Sequence, residues 1–229
     1  MATIQPPTYK ERLLFLGSNG TGKSVLIREL LAKFPRSVSI DTKGDFEPIQ
    51  PFVVVEDPDD KRLLQEDTVV YRPRPEFKSG PHLDAVLGRL FTRAQATFDV
   101  KNRKQLRPFV VNIDEGLALS KRGYTANLAE IAVSGRSLNI GLWVASQRPV
   151  WIPVEVRSEA WRIYVFYLLY EDDEKEVLKL TKRRLTLAQL QEGFENYAYW
   201  EIRRGKDSAG KLEIRHCPRV EMTPYPVPA

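Results

Sequence analysis

The chain has 229 residues, of which 42% are hydrophobic and 28% charged, and its formal net charge is +5 at pH 7. This composition is typical of a globular domain with one sizeable core, and no apolar run is long enough to span a bilayer. Residues 1–10 lack the basic start and apolar centre of a signal peptide, so we expect a cytoplasmic protein. The basic charge favours an anionic partner without identifying it.

Cysteine and histidine are too scarce for a disulfide or a zinc site. Cys217 is the single cysteine, which excludes an internal disulfide and a cysteine-based metal cluster. His82 and His216 are too few and too scattered to bind zinc. A metal that prefers oxygen ligands, such as magnesium, is therefore expected instead.

A Gly-rich loop follows the first apolar run of the chain. The run over 13–16 predicts a buried strand, and apolar residues in helical spacing predict a helix over 25–34. The segment between them has the spacing of a phosphate-binding loop, in which backbone N–H groups and a helix N-terminus surround phosphate oxygens. Lys23 would contact the β- and γ-phosphates, and Ser24 would hold Mg²⁺. The predicted nucleotide-binding residues are Gly17, Ser18, Asn19, Gly20, Thr21, Gly22, Lys23 and Ser24.

Strand and helix patterns alternate along the rest of the chain. Strands are predicted at 37–40, 51–55, 68–71, 109–115, 140–145 and 162–169, helices at 81–98, 124–134, 171–180 and 185–190, and a terminal hairpin at 197–202 and 212–215. The runs 51–55 and 68–71 are either an edge hairpin or added strands. Asn112 interrupts an apolar run, which argues weakly against a central strand there. We expect a flexible arm over 1–10, one domain over 11–222 and a Pro-rich tail over 223–229.

Two carboxylates end the predicted strand over 109–115. An acidic residue at this edge can hold the water shell of Mg²⁺, and the next can orient and deprotonate an attacking water. Asp114 is therefore the predicted magnesium residue and Glu115 the predicted catalytic base, which indicates ATP hydrolysis rather than transfer to a small acceptor. Acidic residues also end many strands as solvated termini, and it is the preceding phosphate loop that favours catalysis.

Polar residues follow two further predicted strands. The turn over 41–46, Asp-Thr-Lys-Gly-Asp-Phe, lies at the carboxyl edge of the sheet, where ligands collect in such folds, and is otherwise a surface turn. Gln147 follows the strand over 140–145, where its amide would contact the γ-phosphate or the lytic water, or else form a strand-end hydrogen bond.

A set of segments in this order resembles the FtsK/HerA superfamily of ring-forming, DNA-translocating P-loop ATPases. The segments are 17–24, 41–46, Val-Val-Asn-Ile-Asp-Glu at 110–115, Gly-Arg-Ser-Leu-Asn-Ile-Gly at 135–141 and Val-Ala-Ser-Gln-Arg-Pro at 144–149, and the resemblance covers residues 11–170. We expect that this chain has no room for the membrane segments and winged helix of FtsK proteins, or for the N-terminal barrel of HerA proteins. A motor core with so few additions is similar to the genome-packaging ATPases of phages and other double-stranded DNA viruses.

The resemblance implies a P-loop NTPase fold of the ASCE/RecA-like type. This is a three-layer αβα sandwich with a mostly parallel central sheet, strands on both sides of the phosphate-loop strand and, here, a C-terminal β-hairpin. It also implies ATP and Mg²⁺ as ligands, double-stranded DNA as a partner and a pentameric or hexameric homo-oligomeric ring with ATP between subunits. It places the protein in the host cytoplasm or at the virion packaging vertex, docked on a capsid or vertex membrane protein without stable membrane insertion.

The resemblance assigns roles to side chains. Lys23 and Ser24 match the phosphate and magnesium residues. Asp114 matches the residue that holds the water shell of Mg²⁺, Glu115 matches the catalytic base, and Gln147 matches the polar sensor.

An arginine finger is also expected from the resemblance. Arg136 is the first candidate to reach the γ-phosphate of a neighbouring subunit, where a cation stabilises the transition state. Arg148 and Arg157 are the alternatives. Arginines near helix ends are also commonly plain solvated caps.

Two basic segments are candidates for DNA contact. Lys121 and Arg122 follow the catalytic carboxylate, where they would couple hydrolysis to a grip on phosphates. Lys101, Arg103 and Lys104 form the second candidate. Either segment is otherwise a solvated turn. Phosphate contacts carry no sequence information, which suits a motor that moves any DNA.

The leading hypothesis is an ATP-driven motor that packages viral double-stranded DNA into a preformed capsid. The first alternative is a cellular or plasmid ATPase of the HerA/FtsK type for DNA transfer or processing. A small P-loop kinase would need an acceptor pocket and an Arg-rich lid instead of a base such as Glu115. A DNA-binding scaffold would use nucleotide only as a structural ligand. DNA-stimulated phosphate release, compared with transfer to nucleoside monophosphates, distinguishes these classes.

Overall fold

The computed structural model describes residues 6–115, 126–192, 194–204 and 212–219. Its strands are β1 Arg12–Leu16, β2 Ser37–Asp41, β3 Val53–Val55, β4 Thr68–Tyr71, β5 Phe98–Asp99, β6 Lys104–Gln105, β7 Phe109–Asp114, β8 Ile140–Ser146, β9 Arg162–Val165, β10 Tyr199–Arg204 and β11 Leu212–Cys217. Its helices are α1 Lys23–Leu31, α2 Arg62–Gln65, α3 Gly80–Ala96, α4 Ala126–Ser134, α5 Val154–Ser158, α6 Glu171–Leu180 and α7 Leu187–Glu192. Short 3-10 turns lie at Pro75–Phe77, Pro149–Trp151 and Glu195–Tyr197. The predicted tail over 223–229 lies outside the described residues.

Within the described residues, a nine-stranded sheet has the order β11-β10-β9-β1-β8-β7-β2-β4-β3. The strands from β9 to β3 in this order are parallel, and β10 and β11 add an antiparallel hairpin at one edge. The phosphate-loop strand β1 lies between β8 and β9. The predicted mostly parallel sheet, with strands on both sides of β1 and a terminal hairpin, is confirmed.

The structure decides between the two arrangements left open for the runs 51–55 and 68–71. They are strands added in parallel, because β4 pairs with β2 and β3 pairs with β4 in the same direction. An edge hairpin would have required antiparallel pairing. The strand predicted over 162–169 is shorter than expected and ends at Val165, which is also the last β9 residue paired with β10.

Side chains at alternate strand positions enter two separate cores, one on each face of the sheet. On one face Leu13 and Phe15 pack with α1 and with the buried indole of Trp143. On the other face Leu14 and Leu16 pack with α3, α4 and the remaining helices. Because strand side chains alternate while helices bury one stripe, this pattern produces the three-layer αβα sandwich.

Asn112 lies in the middle of the sheet, so the weak expectation against a central strand is wrong. β7 is flanked by β8 and β2, and the Asn112 side chain is fully buried. Its Nδ2 donates to Ser39 Oγ on β2 at 3.3 Å. A buried amide is tolerated in an apolar strand when a neighbouring strand supplies a polar partner.

Part of the predicted flexible arm is packed. Pro7 is buried, and the ring of Tyr9 packs edge-on against Phe34, with ring centroids 4.8 Å apart. Residues 6–10 are therefore held against the core, because aromatic burial offsets the entropy of an ordered segment.

The turn between α4 and β8 is supported by a buried arginine. The guanidinium of Arg12 donates to the carbonyls of Ile131 and Ala132 at 2.8 and 2.9 Å, and to Ile140 O at 3.1 Å. These carbonyls include the end of α4, where a cation interacts favourably with the helix dipole. Burial lowers the pKa of Arg12 to about 10, and the contacts hold this turn at the edge where the parallel strands begin.

Candidate nucleotide-hydrolysing site

The Gly-rich loop connects the end of β1 to the start of α1, as predicted. A Cβ on Gly17 would lie 2.6 Å from Phe166 Cβ, so only glycine permits this close approach. Gly22 has φ +102°, a left-handed conformation that side chains rarely adopt. Because Gly22 has no side chain, it offers no side-chain cap to the first turn of α1. The N–H groups of that turn are therefore suited to bind an anion.

Lys23 is the first residue of α1, and its side chain turns back over the preceding loop. Its Nζ donates to the carbonyls of Gly17 and Ser18, both at 2.7 Å. Burial lowers the pKa of Lys23 to about 8, an effect that the nearby charge of Glu115 opposes. The amine remains mostly protonated at neutral pH and is placed to interact with phosphate oxygens bound by the loop.

The predicted magnesium residues meet at the end of β7. Ser24 Oγ donates to Asp114 Oδ1 at 3.4 Å, across the gap between α1 and β7. Burial raises the pKa of Asp114 to about 6, which Lys43 partly opposes. Hydroxyl and carboxylate oxygens are the donors that Mg²⁺ prefers, so Ser24 and Asp114 fit that ion. When bound, Mg²⁺ would neutralise charge on the triphosphate.

The turn over 41–46 contributes two further carboxylates to this edge. Oxygens of Asp41, Asp45 and Asp114 all lie within 4.8 Å of one another. Asp41 has a structural role, because it accepts from the backbone N–H groups of Gly44 and Phe46 at 2.7 and 3.0 Å and from Arg72 Nε at 3.0 Å. Asp45 is exposed and lines the same cavity as Asp114; the prediction of metal residues did not include it.

Glu115 is held by two side chains, one from the segment after β8 and one from the turn after β2. Gln147 Nε2 donates to Glu115 Oε2 at 2.5 Å, and Lys43 Nζ lies 3.2 Å from the same oxygen. Oε1 is buried without a hydrogen-bond partner among the described residues. The backbone of Glu115 has φ +77°, which is strained for a residue with a side chain. The predicted base and the predicted sensor are therefore in contact.

One cavity of about 340 Å³ connects these groups. The loop from Asn19 to Val25 forms its floor, and Lys43, Asp114 and Glu115 line it on the side of β7. Its other lining residues are Asp45, Ala145, Phe166, Tyr197 and Arg219. The last three come from segments far along the chain, and no local pattern predicted them. Lys43 had a signal, because the sequence placed its turn at the ligand-binding edge.

Arg136 does not join this cluster. It follows α4 and precedes β8, at the edge where the parallel strands begin, whereas the loop lies where they end. Arg136 is exposed, and its guanidinium lies 4.7 Å from the centroid of the Trp161 ring. Arg136 therefore does not reach the phosphate loop of the same chain.

The two alternative arginines are engaged within their own subunit. Arg148 lies between the rings of Trp151 and Tyr170, at 4.5 and 4.2 Å from their centroids. Its Nε lies 2.6 Å from Oδ2 of the fully buried Asp173. Arg157 forms an ion pair with Glu176 on α6. These contacts favour structural roles, and withdrawing Arg148 would remove the cation that pairs with the buried carboxylate of Asp173.

The two predicted DNA-contact segments differ in what the structure describes. Lys121 and Arg122 lie outside the described residues. Lys101, Arg103 and Lys104 are exposed in the turn of the β5–β6 ribbon, and Arg103 lines a shallow cavity with Arg136. No described helix is long and apolar enough to cross a membrane.

Solved structures similar to this chain cover nearly all of it. The genome packaging NTPase B204 from Sulfolobus turreted icosahedral virus 2, in complex with AMPPCP, has a TM-score of 0.70 and 17% identity, over 93% of this chain and 100% of that one. The pCW3 conjugation coupling protein TcpA, with ATPγS, has a TM-score of 0.59 and 15% identity, over 92% of this chain and 61% of TcpA. EssC (ATPases 2 and 3) from Geobacillus thermodenitrificans has a TM-score of 0.55 and 15% identity, over 93% of this chain and 40% of that one.

No protein-family model matches the chain, and no curated protein matches it in sequence. The predicted resemblance to viral genome-packaging ATPases is confirmed by the structures that share its fold. The predicted P-loop NTPase fold is likewise confirmed. At 15–17% identity the likeness concerns the fold, and the chemistry has to be argued from the residues of this chain.

Proposed function

We propose that this chain is an ATP-hydrolysing, DNA-translocating motor that packages viral double-stranded DNA into a preformed capsid. The observation that carries the proposal is the contact of Glu115 with Gln147 and Lys43 beside the phosphate loop, in a fold shared with a packaging NTPase. A kinase needs an acceptor for the phosphoryl group, whereas a buried carboxylate beside the loop suits the activation of water.

The chemistry is the conversion of ATP and water to ADP and phosphate. Lys23 and the first turn of α1 would bind the phosphates, and Ser24 and Asp114 would hold Mg²⁺. Glu115 would accept the proton of the attacking water through its carboxylate. Gln147 bonds to that carboxylate, so a movement of the β8 end on hydrolysis would be coupled to the base.

The decisive experiment measures phosphate release with and without double-stranded DNA. We expect DNA to stimulate release, and we expect Glu115→Gln to lower kcat at least about a hundred-fold while ATP still binds. Glu192→Gln is the matched control, because Glu192 is exposed at the end of α7. Unchanged turnover in the Glu115→Gln protein, or no response to DNA, would reject the proposal. Phosphate transfer to nucleoside monophosphates would favour the kinase alternative.

We further propose that Lys121 and Arg122 grip the phosphates of DNA. A double alanine variant at these positions is expected to keep basal ATP hydrolysis and to lose its stimulation by DNA, because only the grip is removed. Alanine variants of Lys101 and Lys104, which are exposed on the β5–β6 ribbon, are the matched control. Stimulation retained in the first variant and lost in the second would exchange the roles of the two segments.

DNA transfer between cells is the second candidate function. It is favoured by the likeness to TcpA, a conjugation coupling protein. We propose that residues 11–222 form one ATPase domain in either case. A capsid or vertex protein that binds the assembled ring in a pull-down would favour packaging over DNA transfer.

A further inference from the structure

The cavity above the phosphate loop has two chemically different sides. The carboxylates of Asp114 and Glu115 lie on the side of β7, and β8 lies between β7 and β1 in the sheet. Phe166 follows β9 and Tyr197 precedes β10, on the opposite side of β1. A triphosphate bound with its terminal phosphate beside the carboxylates therefore directs the rest of the nucleotide toward the aromatic side.

The aromatic side adjoins the loop itself. A Cβ on Gly22 would lie 3.5 Å from Phe166 Cε1 and 3.7 Å from Tyr197 Cβ. Both side chains therefore flank the point where the loop enters α1. The Phe166 side chain is buried, whereas half of the Tyr197 side chain surface is exposed. Tyr197 consequently presents a ring that a ligand in the cavity can contact.

The C-terminal hairpin brings Arg219 against Tyr197. In the β10–β11 register Tyr199 pairs with Cys217 at the end of the hairpin, and Tyr197 and Arg219 lie just beyond this last pair. The guanidinium of Arg219 is 5.0 Å from the centroid of the Tyr197 ring. The hairpin thus places a ring and a planar cation together at one wall of the cavity.

The backbone of Tyr197 is held in a costly conformation. Its φ is +62°, in the left-handed region that tyrosine rarely occupies. The 3-10 turn Glu195–Tyr197 ends at this residue, and Ala198 N donates to Glu195 O at 3.1 Å. Strain of this kind at a cavity wall is typical of positions where the side chain has to be aimed.

We propose that Tyr197, with Arg219, forms the nucleobase site of this chain, and that the base is bound by stacking. Aromatic rings and guanidinium planes both stack on the faces of nucleobases, and stacking tolerates differences at the base edges. ATP and GTP are therefore expected to bind alike. The inference rests on the proposed function in one respect, since it assumes that the loop binds nucleotide phosphates.

The test compares ligands with and without a base, using ADP, GDP and inorganic pyrophosphate in the presence of Mg²⁺. Tyr197→Gly and Tyr197→Ala are each expected to weaken binding of ADP and of GDP about ten-fold, the usual effect of losing one stacking contact. Pyrophosphate affinity is expected to stay unchanged. Tyr197→Phe keeps the ring and should bind all three ligands like the parent chain.

The glycine variant also shows whether a loss of binding is caused by misfolding. Glycine adopts φ +62° without strain, so Tyr197→Gly should unfold at the same or a higher temperature than the parent chain. Tyr167→Ala is the matched control. Tyr167 is similarly exposed, but it lines a neighbouring cavity with Phe194 and does not line the cavity that contains the carboxylates.

The outcomes distinguish a role of Tyr197 in binding the nucleobase from a role in shaping the phosphate loop. Equal losses for ADP and pyrophosphate in the Tyr197 variants would overturn the inference, because the residue would then act on the loop. Unchanged ADP binding, a loss for ADP without one for GDP, or a loss in Tyr167→Ala equal to that in Tyr197→Ala would also overturn it. Lys23→Ala should weaken all three ligands. If it does not, the phosphate loop and the proposed function fail instead.

Discussion

Lys43 is placed to position the carboxylate of Glu115. Its ammonium contacts Oε2, and Gln147 bonds to the same oxygen. Asp41 fixes the turn that carries Lys43, because its carboxylate accepts a hydrogen bond from the Lys43 backbone N–H at 3.2 Å. Two donors on one oxygen leave Oε1 to accept a proton. The arrangement resembles other sites in which a catalytic base is oriented by a third group.

Replacing Lys43 is therefore expected to impair the chemical step more than binding. Lys43→Met should lower kcat about ten-fold with little change in KM, because Glu115 loses one of its two anchors. Steady-state ATPase kinetics measure both constants. Lys61→Met, at an exposed position, is the control. A raised KM with an unchanged kcat would show that Lys43 contacts the nucleotide rather than the catalytic carboxylate of Glu115.

The buried carboxylate of Asp114 is expected to cost stability. Its pKa is raised from 3.8 to about 6, so between these values the folded state binds more protons than the unfolded state. The free energy of unfolding consequently falls as the pH rises through this window, by about 3 kcal/mol in all. The cost is fully present above about pH 7 and absent well below pH 4.

Asp114→Asn removes this cost together with the charge. Without Mg²⁺ and with EDTA present, the variant should melt at a higher temperature than the parent at pH 8, and the difference should shrink toward pH 4.5. Denaturant titrations at several pH values provide the measurement. Asp172→Asn, at an exposed position on α6, should show no such trend. A destabilised Asp114→Asn protein at pH 8 would mean that pairing with nearby cations outweighs burial.

At the scale of elements, the turn between α4 and β8 depends on a glycine. Gly135 N donates to Ile131 O at 3.1 Å, and Ile140 N donates to Gly135 O at 3.0 Å. A Cβ on Gly135 would lie 2.5 Å from Ile131 O and 2.9 Å from the Arg12 guanidinium. The glycine in the Gly-Arg-Ser-Leu segment is thus required by the buried cation that supports the turn.

Gly135→Ala is expected to destabilise the protein by about 2 kcal/mol, because either the Arg12 contacts or the end of α4 must shift. Chemical denaturation measures the change. Ser134→Ala, one residue earlier on α4, should alter stability by less than about 0.5 kcal/mol. If both variants behave alike, the close contact at Gly135 is relieved at no cost and this account of the turn is wrong.

At the scale of the whole molecule, the sheet separates Arg136 from the phosphate loop of its own subunit. Around Arg136 the side chains of Val100 and Val133 are 78% and 57% exposed, and both line the shallow cavity that Arg136 borders. An exposed cation beside apolar surface suits contact with a second copy of this chain. We propose that this face meets the phosphate-loop edge of a neighbour in the ring.

Mixing experiments test whether Arg136 acts between subunits. Arg136→Ala subunits mixed with Glu115→Gln subunits should recover ATPase activity that neither variant has alone, because the intact base of the first and the intact arginine of the second would together complete an active site. Arg103→Ala, on the same face, is the control for general effects on assembly. No recovery of activity in the mixture, or full activity of Arg136→Ala alone, would show that Arg136 does not act between subunits.

The sequence by itself determined the phosphate loop and the two carboxylates at the end of β7. Gly17, Gly22 and Lys23 belong to one short segment, so their spacing along the backbone already specifies a phosphate cradle. Asp114 and Glu115 end an apolar run, and a run that stops at two carboxylates marks the carboxyl edge of a parallel sheet. The alternation of strands and helices, with apolar periodicity in each, likewise determined a layered α/β fold.

Only the tertiary structure decided which distant side chains meet. The contact between Lys43 and Glu115 requires β2 to lie beside β7, and the approach of Arg219 to Tyr197 requires one register of the terminal hairpin. Strand order and register follow from the packing of the whole core, and local periodicity does not encode them. The aromatic wall opposite the carboxylates is therefore defined only by the placement of β9 beside β1 and of β10 beside β9.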